Sequence, residues 1–332
     1  MDYQDILINL KKKIYHPVYF LMGEESYFID QITDYISKNV LADAEKSFNQ
    51  HVLYGKDTDV NTIITHARRF PMMANHQVVV VKEAQNIKKI EELEPYIKAP
   101  LTSTILVINY KYKTIDKRKS FAKQLAKSCV LFESKKIYEN KLPAWINSYL
   151  TAHNYSITPQ AAAMLSEYLG TDLSKVSNEL NKLIITLPKG TKIAPDHIEK
   201  NIGISKDYNI FELQNALSER NVLKCNQIIN YFAANPSSNP ITRTIASLYY
   251  YFMKILTLHF LTDKSPNAVA SALQVAPYFV RSYMDAAKVY NPKKLVAIMG
   301  VLREYDMKSK GFGNVSTSAG DLQKEMIYKI LH

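Results

Sequence analysis

Four consecutive valines, Val78 to Val81, place the tightest constraint on how the first part of this chain folds. A run of β-branched residues with no polar face suits a central strand covered on both sides. It has company. Apolar runs at 17–22, 48–54, 77–83, 103–109 and 129–133 alternate with helix-spaced segments through the first 135 residues. That alternation predicts a mostly parallel sheet with crossover helices. The helix between the second and third strands is legible in detail. Asp57 or Thr58 is its predicted N-cap, Val60, Ile63, Ile64 and Ala67 fall on one face, and Pro71 ends it at Phe70.

After Ser134 the strand signals stop. Short helices are predicted at 142–151, 160–169, 173–187 and 195–201, punctuated by Pro159, Pro188, Gly190 and Pro195. Longer amphipathic helices follow from Asn209 to the end. The expectation is an α/β domain over 1–139, a small helical domain over 140–207 and a larger helical domain over 208–332. In the last of these, Leu248, Tyr251, Phe252, Ile255, Leu256 and His259 share a helical face, so the Tyr249–Phe252 cluster is read as packing rather than base stacking.

Charge and composition narrow the functional classes. A formal net charge of +11 favours polyanionic partners, nucleic acid first, because phosphate attraction is long-ranged and needs no base code. The basic residues concentrate at Lys111, Lys113, Lys117, Arg118 and Lys119, with smaller groups at Lys11–Lys13 and Lys88–Lys89. Cys129 and Cys225 lie far apart, and the eight histidines show no metal-ligand spacing, so neither a metal nor another cofactor is expected. No Ser/His/Asp arrangement stands in a motif context. No apolar run reaches the roughly 18 residues that span a bilayer, and the amino terminus lacks the order of a signal peptide. A cytoplasmic protein without a membrane partner is expected.

The turn after the first strand occupies the place of a nucleotide-binding loop. A P-loop needs a second glycine for backbone approach, a lysine for the β- and γ-phosphates and a hydroxyl for magnesium. Counting from Gly23, those places hold Phe28, Ile29 and Asp30, and Glu24 and Glu25 add negative charge. The third strand agrees. Where a Walker B strand ends in Asp-Glu, Val81 is followed by Lys82 and Glu83, which puts a cation where the magnesium-associated carboxylate belongs. The chain is therefore not expected to be an ATPase.

Four blocks carry a resemblance that covers essentially the whole chain. They are the segment 17–30 around Gly23-Glu24-Glu25, the segment 70–81 from Phe70-Pro71-Met72-Met73 into the valine run, Asp116-Lys117-Arg118-Lys119, and the segment 209–217 opening Asn209-Ile210-Phe211-Glu212. In order and spacing they resemble the delta subunits of bacterial DNA polymerase III clamp loaders. The resemblance implies a degenerate AAA+-like parallel-sheet domain, a helical lid domain and a helical collar domain. It implies a non-catalytic subunit that binds and opens the sliding clamp (beta subunit). The collar would join the gamma/tau motor subunits and delta-prime, and primer-template DNA would be met within the assembly. By position, Met72 and Met73, flanked by Phe70, correspond to the family's clamp anchor, although many members carry Leu-Phe there. Lys117 and Arg118 are candidates for contact with DNA or a neighbouring subunit. Lys127-Ser128-Cys129 lacks the arginine of the Ser-Arg-Cys motif found in the motor subunits, which also fits delta. The competing reading is an AAA+-derived basic DNA-binding module with no clamp contact.

Overall fold

The computed structural model describes residues 1–332 throughout, and the chain divides into two compact units, Met1–Ile137 and Tyr138–His332. The first unit runs α1 (Tyr3–Lys11), β1 (Val18–Gly23), α2 (Ser26–Asn39), α3 (Asp43–Asn49), β2 (Gln50–Tyr54), α4 (Val60–Ala67), β3 (Gln77–Lys82), α5 (Glu94–Lys98), β4 (Thr104–Lys111), α6 (Ser120–Ser128) and β5 (Val130–Ser134). Its sheet has the order β2-β3-β4-β1-β5, with every neighbouring pair parallel.

The valine run is divided between two cores. Val79 and Val81 pack with α4 residues Val60, Ile63 and Ala67 on one face of the sheet, whereas Val78 and Val80 join the cluster of Ile29, Ile32 and Ile36 from α2 on the other. Successive strand side chains point to opposite faces, so a strand sandwiched between helices must be apolar at every position.

Two sequence expectations need correction here. Phe48 and Asn49 end α3 rather than start β2. Helix α4 is capped by Asp59, whose side chain accepts from the Thr62 amide, not by Asp57 or Thr58, and it stops at Ala67, three residues before the predicted Phe70. The early stop has a cause outside the helix. The Ala67 carbonyl accepts from Thr104 Oγ1 (2.8 Å) and Tyr96 Oη (3.2 Å), so a terminal acceptor that another helical turn would have used is satisfied from the sheet side.

The second unit contains α7 (Leu142–Ala152), β6 (Ser156–Ile157), α8 (Pro159–Leu169), α9 (Leu173–Thr186), β7 (Lys192–Ile193) and α10 (Pro195–Ile202). It continues with α11 (Ile210–Ser218), α12 (Val222–Ala234), α13 (Ile241–His259), α14 (Pro266–Leu273), α15 (Val280–Val289), α16 (Pro292–Ser309) and α17 (Ala319–Leu331). The four predicted short helices are present as α7 to α10. They are not purely helical, because β6 and β7 form a two-stranded parallel pair that two-residue strands do not announce in sequence. Helices α11, α12, α13, α15, α16 and α17 share one apolar cluster. Within it Leu248, Tyr251, Phe252 and Ile255 of α13 are buried while Tyr249 and Tyr250 are exposed, in keeping with packing as the main use of that stripe.

Candidate functional site

In open α/β sheets, ligands gather at the carboxyl ends of strands where the winding direction reverses. Here that place lies between β1 and β4, where Gly23 is in register with Lys111. The crevice is filled by the protein itself. The Gly23 amide donates to the Lys113 carbonyl (3.1 Å), the Tyr112 amide donates to the Gly23 carbonyl (2.8 Å), and the Glu24 amide donates to the Ser134 carbonyl (3.1 Å). Gly23 has φ +123°.

Each degenerate position now has a structural occupation. Ile29 is fully buried in the α2 core, and Phe28 rests against Tyr3 with ring centroids 4.8 Å apart. Asp30, at the place of the magnesium-binding hydroxyl, pairs with Lys111 Nζ at 2.6 Å. The amino end of α2, where a phosphate would sit, is capped by Glu25, whose Oε1 accepts from the Tyr27 amide. At the end of β3, Lys82 is exposed beside the Tyr54 ring and Glu83 turns the chain in the left-handed region at φ +53°. No group of three or more His, Cys, Asp or Glu side chains is gathered to hold a metal ion, and no helix is long and apolar enough to cross a membrane.

The connection from α4 to β3 has the opposite character. Phe70, Met72 and Met73 are 79%, 60% and 97% exposed, which gathers three large apolar side chains on one short loop. They follow the helix end rather than project from it, since α4 stops at Ala67. The loop backbone is nevertheless well held. Asn49, at the end of α3 and 1% exposed, accepts from the Met72 amide through Oδ1 (2.6 Å) and donates from Nδ2 to the Met72 carbonyl (2.9 Å). Met73 has φ +55°, unusual for a residue with a side chain. Sequence reasoning missed Asn49. In sequence it fell within the strand expected over 48–54, and an asparagine there does not name its partner.

Lys117 and Arg118 are both exposed and both already paired. Lys117 Nζ lies 2.7 Å from Glu133 Oε2, and Arg118 forms a fork with Asp116 through Nε and Nη2, the latter at 2.8 Å. The Arg118 guanidinium holds the Asp116 carboxyl below its usual range. The two cations sit apart from the 68–73 loop in sequence, and no contact brings the two groups together.

The second unit holds a feature that the sequence did not suggest, an open cleft of about 870 Å³ lined by Arg243, Ser247 and Lys254 of α13 with Glu167 and Tyr283 among the facing residues. Ser247 Oγ donates to Glu167, and burial holds the Lys254 ammonium below its ordinary range.

Comparison with known proteins settles the family. Residues 19–135 match the model for "DNA polymerase III, delta subunit", and residues 207–318 match that for its C-terminal domain. The chain belongs to the DNA polymerase III delta subunit family. A curated delta subunit from Bacillus subtilis is 28% identical, over 92% of this delta chain and 91% of the relative. The solved structure of the Bacillus subtilis DNA clamp loader delta protein shares the fold, with a TM-score of 0.60, 24% identity and 99% of each chain covered. The delta family's AAA+-like sheet and all-helical carboxyl-terminal part are thus both present.

Proposed function

We propose that this delta-family chain grips a ring-shaped sliding clamp and holds one of its interfaces open, so that a loader can place the ring on primer-template DNA. The exposed apolar loop of Phe70, Met72 and Met73 on a pinned backbone carries this reading. A methionine pair suits an apolar pocket on a partner, since thioethers are flexible and polarisable. Single exposed apolar side chains are common, but three held outward together on one short loop make the kind of patch that marks a partner surface.

The chain does this without hydrolysing ATP. Support comes from Ile29 in the core, the Asp30–Lys111 pair and the Glu25 cap, which together occupy the places of the lysine, the magnesium ligand and the phosphate. Energy would come from neighbouring gamma/tau motor subunits, joined together with delta-prime through a collar domain over 208–332. The domain over 1–139 would meet the clamp, and 140–207 would form the lid. The protein would act in the cytoplasm, and its DNA contacts would be to phosphates, made within the assembly.

The test is binding of the isolated chain to its cognate clamp, wild type against Met72→Ser/Met73→Ser. Loss of two buried anchors should cost about 2 kcal/mol or more, roughly 30-fold in affinity. Full binding by the variant would move the anchor elsewhere. A folded wild type that binds DNA tightly but not the clamp would instead establish the basic DNA-binding module.

A further inference from the structure

We infer that Asn49 and Gln77 are positioning residues that hold the 68–73 connection in its partner-ready shape. The inference rests on the clamp-anchor reading above for its consequence, but not for its geometry. Asn49 grips Met72 at both backbone groups, as a neighbouring strand would, and its Nδ2 also donates to the Glu45 carbonyl (3.1 Å) in the first turn of α3. Both amide hydrogens and the carbonyl of the side chain are therefore used. Aspartate could not donate, serine could not reach both groups, and glutamine is a methylene too long.

Gln77, 2% exposed at the start of β3, secures the other end. Its Nε2 lies within hydrogen-bond reach of the carbonyl oxygens of His66, Ala67 and Arg69 and of Thr104 Oγ1 (2.7 Å). The carbonyls that end α4 thus face a buried amide on one side, and the Met72 peptide faces a second buried amide on the other. Between these two fixings the chain carries Phe70 and Pro71, and just beyond them Met73 sits in the left-handed region. That conformation costs on the order of 1 kcal/mol for a residue with a Cβ, so a loop without such supports would relax away from it. A loop already ordered loses less conformational freedom on binding, so the amides raise affinity without touching the partner.

The experiment is a double-mutant cycle on the intact chain, with Asn49→Leu as the main variant and Asn49→Ser and Gln77→Leu as alternatives should it fold poorly. Three quantities are read: affinity for the cognate clamp, melting temperature, and hydrogen exchange of the Met72 amide in the free chain. Asn49→Leu should speed Met72 exchange at least about tenfold relative to the β3 amides. It should weaken clamp binding about tenfold as the competent loop conformer falls to roughly a tenth of the population. In the Met72→Ser/Met73→Ser background it should weaken binding no further, while lowering the melting temperature by the same amount as before. An unchanged Met72 exchange rate, or an equal loss of affinity in both backgrounds, would overturn the proposal. Wild-type binding by Met72→Ser/Met73→Ser alone would overturn the anchor reading and the binding half of this inference with it. The exchange rate would then decide the loop-holding half by itself.

Discussion

Replacing Gly23 by alanine tests whether the crevice at the end of β1 is closed as tightly as the structure shows. A Cβ at Gly23 would lie 2.1 Å from the Ser134 carbonyl oxygen and 2.6 Å from its Oγ, both far inside contact distance. Relief requires β1 and β5 to part by roughly an ångström, and a gap of that size forfeits much of the local packing. The Glu24–Ser134 backbone bond (3.1 Å) and the Ser134 Oγ bond to the Met22 carbonyl (3.3 Å) span the affected place, at about 1 kcal/mol each. The φ of +123° adds on the order of 1–3 kcal/mol once a side chain is present. The expected loss is therefore about 3–5 kcal/mol, a large share of the roughly 5–15 kcal/mol that stabilises a typical domain.

Urea unfolding followed by circular dichroism measures it. With a slope of about 2 kcal/mol per molar, the midpoint of the first unit should fall by about 2 M, and exchange mass spectrometry should place the loosening at β1 and β5. Gly190→Ala is the control. Gly190 also has a positive φ, +81°, but nothing lies within 4 Å of its Cβ position, so it should lose only about 1 kcal/mol. Equal losses at the two sites, or less than about 1 kcal/mol at Gly23, would refute the close approach of Ser134 as the cause.

Two further outcomes follow from the titratable groups. His51 and His66 lie with ring centroids 4.9 Å apart and their planes tilted by 54°, and burial first, then neighbouring positive charge that includes Arg69, holds both imidazoles below their ordinary range. Their depressed values mean that stability is present above about pH 6.5 and lost as pH falls through the folded values. The first unit should melt lower at pH 5.5 than at 7.5, His51→Gln/His66→Gln should flatten that dependence, and an unchanged slope would show that other groups carry it. Burial pushes the Cys129 thiol up to about 12 and the buried Cys225 thiol up to about 11. Neither should react with an aromatic disulfide reagent at pH 7.5 until the chain is denatured, and a thiol that reacts within minutes in the folded protein would contradict this.

Much of the architecture was legible in the chain itself, because strand burial leaves a local record. Val78 to Val81 could only be accommodated between two helical layers, and the structure places α4 on one side and α2 on the other. The absence of a P-loop's glycine, lysine and hydroxyl at Phe28, Ile29 and Asp30 is likewise a property of residue types, readable wherever the side chains end up. Proline limits where a helix can run but does not say where it stops. Pro71 allowed α4 to reach Phe70, and hydroxyl donors supplied by Thr104 and Tyr96, from later in the chain, met the Ala67 carbonyl where the helix ends.

The same holds for the candidate site. That Phe70, Met72 and Met73 form an apolar group was visible in sequence, whereas their exposure was not, since the same three residues would serve equally well beneath a helix end. Only the tertiary structure brings Asn49 to Met72 and Gln77 to the carbonyls of α4, across separations of 23 residues for the first and 8 to 11 for the second. Hydrogen bonds between a side chain and a distant backbone leave no periodicity in the sequence. They exist because the sheet sets the ends of α3, α4 and β3 side by side. Residue type determined which P-loop side chains are missing after β1, and chain packing decided which loop the chain holds out.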